Sequence, residues 1–319
     1  MCYLFNIRFI ITKYLKSIIM RRILVIGSSN TDMVIKSDRL PKPGETLLGG
    51  KFMMNPGGKG ANQAVAASRL GGNVTFVCKV GRDTFGKKAR ELFKEEGIDV
   101  SHILEDPEGN SGVALINVDS KGENCIVVAE STNDALTSKD IESLTEVIKA
   151  SDILVLQLEI PMESVVKAAE IAHAHGKKVI LNPAPAPSQG FPAGFLSNID
   201  LIVPNETEAS IISGIEVQSL EEAERAAKKI QEAGCKKVIV TLGSRGAMIA
   251  NHEITVVPSD KVEAVDTTAA GDTFCGALAV ALSENMSLEE GTRFACHASA
   301  ISVTRMGAQS SIPYRYEIK

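Results

Sequence analysis

From residue 23 onward, short runs of apolar, β-branched residues alternate with stretches whose apolar residues recur at helical spacing, and this alternation restricts the possible folds most. Strands are expected at 23–27, 74–80, 153–158, 178–181, 201–203 and 237–242, and helices at 60–70, 85–96, 162–175 and 220–233. Gly71-Gly72, Gly97, Gly176 and Gly234 stand where these helices should end, and Ser219 with Glu222 gives a capping-box pattern. Strands that are apolar throughout are buried on both faces. The expected fold is therefore α/β, a mostly parallel sheet covered on both sides. Two regions interrupt the pattern. Residues 46–54 are β-like without a helical stripe, and 112–118 with 125–129 flank the turn Asp119-Ser120-Lys121-Gly122-Glu123. Together they are expected to form a small β-lid, from roughly 34–54 and 111–130, able to keep water from the ends of the sheet.

At 319 residues the chain is long enough for one large domain or two smaller ones. A net charge of −5, with Lys and Arg scattered, argues against a nucleic-acid or membrane-surface partner. Cys2, Cys78, Cys125, Cys235, Cys275 and Cys296 are widely spaced, the usage of a cytoplasmic protein with reduced thiols. Residues 1–19 are apolar but interrupted by Arg8, Lys13 and Lys16. They are expected to lie outside the fold, with Met20 as its natural beginning and a single domain over 20–319.

Ligands of such sheets bind beyond the carboxyl ends of the strands, and the motifs lie there. The stretch Val265-Asp266-Thr267-Thr268-Ala269-Ala270-Gly271-Asp272-Thr273-Phe274 leads from a β-like run at 254–258 into an apolar helical run at 274–282. Ala269, Ala270 and Gly271 therefore fall at a helix opening, where unpaired amides and the positive dipole end can hold a phosphate. Asp272 is either a helix cap or a base beside that anion hole. Asn55-Pro56-Gly57-Gly58-Lys59-Gly60-Ala61-Asn62-Gln63 is neither a phosphate loop nor a dinucleotide fingerprint. It reads as a tight loop whose Lys59 and Asn62 could donate to a polyhydroxylated ligand. In Gly27-Ser28-Ser29-Asn30-Thr31-Asp32, Asn30 and Asp32 could pair with neighbouring hydroxyls or serve a turn. Glu159 is another polar group at the rim. Asn205-Glu206-Thr207-Glu208 offers oxygen for Mg²⁺, or charge for a helix start. Thr241-Leu242-Gly243-Ser244-Arg245-Gly246 could edge a nucleotide, and Arg305-Met306-Gly307-Ala308-Gln309-Ser310-Ser311 could offer carbonyl oxygens to a monovalent cation.

These motifs, with Pro41-Lys42-Pro43-Gly44-Glu45-Thr46, occur in order from about 23 to 312 and resemble the ribokinase/PfkB family of sugar kinases. Gly-Gly-Lys-Gly-Ala-Asn-Gln, Thr-Leu-Gly-Ser-Arg-Gly and Arg-Met-Gly-Ala-Gln-Ser-Ser narrow the resemblance to its ribose-phosphorylating members. The resemblance implies a three-layer α/β sandwich with a β-lid that pairs in a homodimer, and transfer of phosphate from ATP to O5 of D-ribose. It implies Asp272 as base, with Ala269, Ala270 and Gly271 as anion hole. Asn30, Thr31, Asp32, Gly58, Lys59, Gly60, Ala61, Asn62 and Glu159 would surround the sugar. Asn205, Thr241, Leu242, Gly243, Ser244, Arg245, Gly246, Gly271 and Cys296 would line the ATP site, with Glu208 near Mg²⁺. Asp266, Thr268, Ser302, Arg305, Gly307 and Ser311 would surround K⁺. Cys296 departs from the Asn that relatives often carry beside the adenine. Rival readings are the same chemistry on deoxyribose, fructose or a nucleoside, and a sugar- or nucleotide-binding regulator without catalysis. A nicotinamide dehydrogenase fails for want of the glycine fingerprint.

Overall fold

The computed structural model describes residues 21–318, so the expected extension over 1–19 lies outside the described residues. In chain order the strands are β1 (Arg22–Ile26), β2 (Asn30–Lys36), β3 (Lys51–Gly57), β4 (Asn73–Val77), β5 (Lys79–Gly81), β6 (Leu104–Asp106) and β7 (Gly112–Val118). They continue with β8 (Asn124–Ala129), β9 (Ile153–Leu156), β10 (Lys178–Leu181), β11 (Leu201–Ile202), β12 (Val238–Thr241), β13 (Ala247–Ala250) and β14 (Ile254–Val257). The large sheet runs β14-β13-β12-β11-β10-β9-β1-β4, with every pairing parallel except those of β13, which runs against both β12 and β14. This is the α/β sandwich with a mostly parallel sheet that the alternation implied.

Pleating divides the core into two layers, because successive side chains leave a strand on opposite faces. Ile23 and Val25 of β1 pack with Phe76, Phe93 and Leu278 on one side, whereas Leu24 and Ile26 pack with Leu154, Val165 and Ile230 on the other. The covering helices end and begin on local signals. Asp83 accepts from Gly86 N–H (2.8 Å) to cap Thr84–Glu95, and Ser219 with Glu222 forms a capping box on Leu220–Glu232. The helix Leu288–Ser302, capped by Ser287 and Glu290, was not among those expected.

Two expectations about strands need correction. The run 74–80 is not one strand: it breaks at Cys78, whose carbonyl accepts from Leu104 N–H (2.9 Å), and β5 leaves the large sheet to pair with β6. An unbroken apolar run carries no sign of such a bend. The alternative of a turn at Asn30 and Asp32 is not taken, because Asn30 already begins β2. The small sheet, ordered β3-β2-β7-β8, extends past 34–54 at both ends, to Asn30 and Gly57. The hairpin of β7 and β8 turns at 119–123, with Gly122 at φ +86° and the Asp119 carboxylate accepting from Lys121 and Glu123 amides.

Candidate active site

The helix Ala270–Ser283 opens after Ala269, which takes a left-handed conformation at φ +59°. Ala270 N–H donates to Thr267 O (3.2 Å) and Thr273 N–H to Ala269 O (2.8 Å). Among the described residues the amides of Gly271 and Asp272 have no acceptor. A methyl group added at Gly271 would meet nothing within 4 Å, so the helix opening is not packed against the core at this residue. They border a cleft of about 190 Å³ whose walls include Lys59, Asn205, Glu208, Thr241, Ala269, Ala270, Gly271 and Asp272. Asp272 is only 7% exposed. Its carboxylate accepts from Asn62 Nδ2 and Gln63 Nε2, each at 2.9 Å. Burial pushes its pKa up, and the nearby Lys59 ammonium and the two amides only partly offset this.

A single helix, Lys59–Arg69, connects this cleft to the lid. Its N-terminal loop is clamped on the turn after β1. Ala61 N–H donates to Ser28 O (2.9 Å), and a methyl at Gly60 would come within 2.6 Å of Gly27 C and Ser28 N. Gly58, at φ +89°, makes the turn. Glu159 completes the clamp by accepting from Ser28 Oγ (2.6 Å) and Lys59 N–H (2.9 Å). Asn30 and Asp32 alternate onto one face of β2, and Thr31 falls on the other. Asn133 Nδ2 donates to Asn30 Oδ1 (2.7 Å), which leaves the Asn30 amide hydrogens for a ligand. Gly57, opposite on β3, has no side chain because one would overlap the Asp32 carboxylate. Burial first, and then the charge of Glu159, push Asp32 up to about 6.

Lys59 makes no ion pair among the described residues. Burial disfavours its charge, but Asp272, Glu159 and Glu208 outweigh this and raise its pKa. Asn205 and Glu208 form a capping box on Glu206–Ser213: Asn205 N–H and Nδ2 both donate to Glu208 at 2.9 Å. Burial raises the pKa of Glu208. Arg245 pairs with Glu206. Beyond Gly271 lies a further cavity of about 100 Å³, bordered by Thr241, Gly243, Gly246, Phe274 and Cys296. Leu242 points into the core, and Ser244 and Arg245 are exposed beside this cavity.

The residues expected around K⁺ join two loops. Asp266 accepts from Thr268 N–H (2.9 Å), Thr268 Oγ1 (2.6 Å) and Gly307 N–H (2.8 Å). These bonds outweigh burial and lower its pKa. Ser302 and Ser311 are buried, and their hydroxyls donate to Ser299 O and Ala308 O at 2.8 Å. The Arg305 side chain pairs with Glu317. Among the described residues no cluster of three or more His, Cys, Asp or Glu could hold a metal ion, so a cation here would have the Asp266 carboxylate with backbone and hydroxyl oxygen.

Sequence reasoning did not single out Gln63, Gln157, Asn182 or Gln309, which build the surroundings of Asp272. A signal existed for two of them. Gln157 is a polar residue inside an apolar strand pattern, and Asn182 directly follows β10 at the ligand end of the sheet.

The characteristic sequence of the pfkB family of carbohydrate kinases matches residues 20–315. The chain is 45% identical over 300 residues to ribokinase of Haemophilus influenzae, covering 93% of this chain and 97% of that protein. It is 38% identical over 292 residues to deoxyribokinase of Salmonella typhi, covering 91% and 95%. The structure of Arabidopsis thaliana ribokinase complexed with ribose and ATP superposes with a TM-score of 0.86 at 32% identity, covering 93% and 97%. These likenesses span both the large sheet and the lid, and the chain belongs to the pfkB family of carbohydrate kinases.

Proposed function

We propose that the protein phosphorylates D-ribose at O5 with ATP, giving D-ribose 5-phosphate and ADP. The observation that carries this reading is the pairing of the Asp272 carboxylate with two unpaired helix amides in one cleft, tied by the helix Lys59–Arg69 to Asn30, Asp32 and Glu159. The O5 proton passes to Asp272, O5 forms its bond to the γ-phosphorus, and the bond from that phosphorus to the β-bridging oxygen breaks as ADP leaves. In a loose transition state the proton can leave late, so positioning matters more than basicity. The Gly271 and Asp272 amides offset charge on the transferring oxygens, with Lys59 on the facing wall. Asn30, Asp32 and Glu159 hold the sugar hydroxyls, and Thr241 to Gly246 with Cys296 border the nucleotide.

Two cations accompany this reading. Glu208, backed by Asn205, suits Mg²⁺ held through water, since Mg²⁺ takes oxygen ligands and keeps several waters. The metal would neutralise phosphate charge. Asp266, Thr268, Ser302, Arg305, Gly307 and Ser311 would surround K⁺ through backbone, hydroxyl and carboxylate oxygen, holding the loop that precedes the anion hole. Deoxyribose is the second reading, because a deoxyribokinase is among the relatives. We place the protein in the cytoplasm, as a homodimer joined through the lid.

Two measurements test the proposal. In a panel of ribose, 2-deoxyribose, fructose and nucleosides with ATP and Mg²⁺, with and without K⁺, ribose should give the highest kcat/KM. Asp272→Asn should lower kcat by at least roughly 10²-fold with ATP binding retained, the scale of a lost general base. A variant within a few-fold of the native enzyme would remove Asp272 from that role.

A further inference from the structure

Asp272 is held by two amide side chains, and each of these is held by another. Gln157 Nε2 donates to Gln63 Oε1 (2.7 Å), and Gln309 Nε2 donates to Asn62 Oδ1 (3.2 Å). The second hydrogen of Gln63 Nε2 goes to Asn182 Oδ1 (3.0 Å), and Asn182 Nδ2 is fixed on Val203 O (3.1 Å). The order of donors is imposed from the centre. An ionised carboxylate can only accept, so Asn62 and Gln63 turn their NH₂ groups to it and their carbonyl oxygens away. The next amides must then donate as well. The two lines end at Gln157 Oε1 and Gln309 Oε1, buried oxygens with no donor among the described residues.

Those two ends separate a functional arrangement from ordinary core satisfaction. A buried amide with one face unpaired is costly, whereas apolar side chains in place of both partners would be nearly neutral. Stability alone therefore gives no reason for Gln157. The backbone is also shaped around it, since any side chain at Gly27 would overlap Gln157 Oε1. Asn62 and Gln63 point hydrogens at Asp272, and Gln157 and Gln309 point theirs at Gln63 and Asn62, whereas Asn182 offers Gln63 its oxygen and turns its hydrogens to Val203 O.

We infer that Gln63, backed by Gln157 and Asn182, is a positioning residue that fixes the Asp272 carboxylate in its rotamer and in its ionised form. Gln63 itself is fully buried and is not among the residues that line the cleft. The inference rests on Asp272 being the base. Lys59, Glu159 and Glu208 also act on that carboxylate, and none of the three is hydrogen-bonded to Gln63.

The test compares Gln63→Met and Gln157→Met, which keep length and remove the donors, with Asp272→Asn. For Gln63→Met, kcat should fall by roughly ten- to a hundredfold, within the range for a misplaced reacting group. The KM values for ribose and MgATP should stay within about twofold, because the interaction serves the transition state. The acid limb of the kcat profile should move to higher pH, since loss of a donor disfavours the ionised carboxylate. Gln157→Met should shift the same quantities in the same direction by less. A folded Gln63→Met enzyme with kcat within twofold of native, a loss confined to KM, or a loss with an unmoved acid limb overturns the inference. If Gln63→Met does not fold, Gln157→Met decides on the same readouts. Native-like Gln63→Met beside an inactive Asp272→Asn sinks the positioning role alone, whereas an active Asp272→Asn sinks the base on which it depends.

Discussion

Asp32 shows how one residue's surroundings set a measurable dependence on pH. Burial and Glu159 hold its pKa near 6 instead of the ordinary 3.8. Between these values the folded chain keeps a proton that the unfolded chain has lost, so its contribution to stability falls as pH rises through that window. Binding runs the other way. In the proposed sugar site the ionised carboxylate accepts from sugar hydroxyls through both oxygens and more strongly than the protonated form, which gives up one acceptor position to its own proton. The KM for ribose should therefore rise below about pH 6, by up to about tenfold per further unit, as the ionised fraction declines. The KM for ATP should stay flat. Asp32→Asn should bind ribose weakly at every pH and lose the dependence. Initial rates between pH 5 and 8 check this, and a flat ribose KM in the native enzyme would take Asp32 out of the sugar site.

The glycines of two helix openings divide between function and folding. At Gly271 an added methyl meets nothing within 4 Å, whereas at Gly60 it meets the backbone of Gly27 and Ser28. Gly271→Ala should keep the native Tm or raise it, since Ala is favoured in helices by roughly 0.5–1 kcal/mol. Its kcat/KM for ATP should drop steeply because the methyl occupies the space above the amides. Gly60→Ala should instead lower Tm by several degrees, with scanning calorimetry reading both. The position of the first opening was legible because small residues preceded an apolar helical run. The left-handed turn at Ala269 was not, since it falls on a residue with a side chain. The large sheet was legible for a related reason: doubly buried strands are apolar along their whole length. The start of β2 was hidden because Asn30 and Asp32 have the chemistry of a turn. The amide set around Asp272 was hidden because it joins residues 62, 63, 157, 182 and 309, which no local pattern connects.

At the scale of the whole molecule, the lid presents two unlike faces. The register of β2, β3, β7 and β8 puts Met33, Met54, Leu115 and Val127 in one cross-strand row, with Ile35 and Phe52 in a row on the same side. Alternation sets that side opposite Asn30 and Asp32. Phe52 is 57% exposed, Leu115 53% and Val127 65%, an apolar sheet face of the kind that marks an interaction surface. A second copy of the chain is the occupant that the homodimer reading requires, and it would stiffen the strand carrying Asp32. Sedimentation velocity should then give twice the chain mass for the native protein and a single chain for Val127→Lys. The monomer should show a raised KM for ribose and an unchanged KM for ATP, because the walls proposed for the nucleotide belong to the large sheet and its helices. A native protein that sediments as a monomer, or Val127→Lys that remains paired, would detach the lid from assembly. An equal rise in both KM values would mean that the lid steadies the whole cleft and not the sugar side alone.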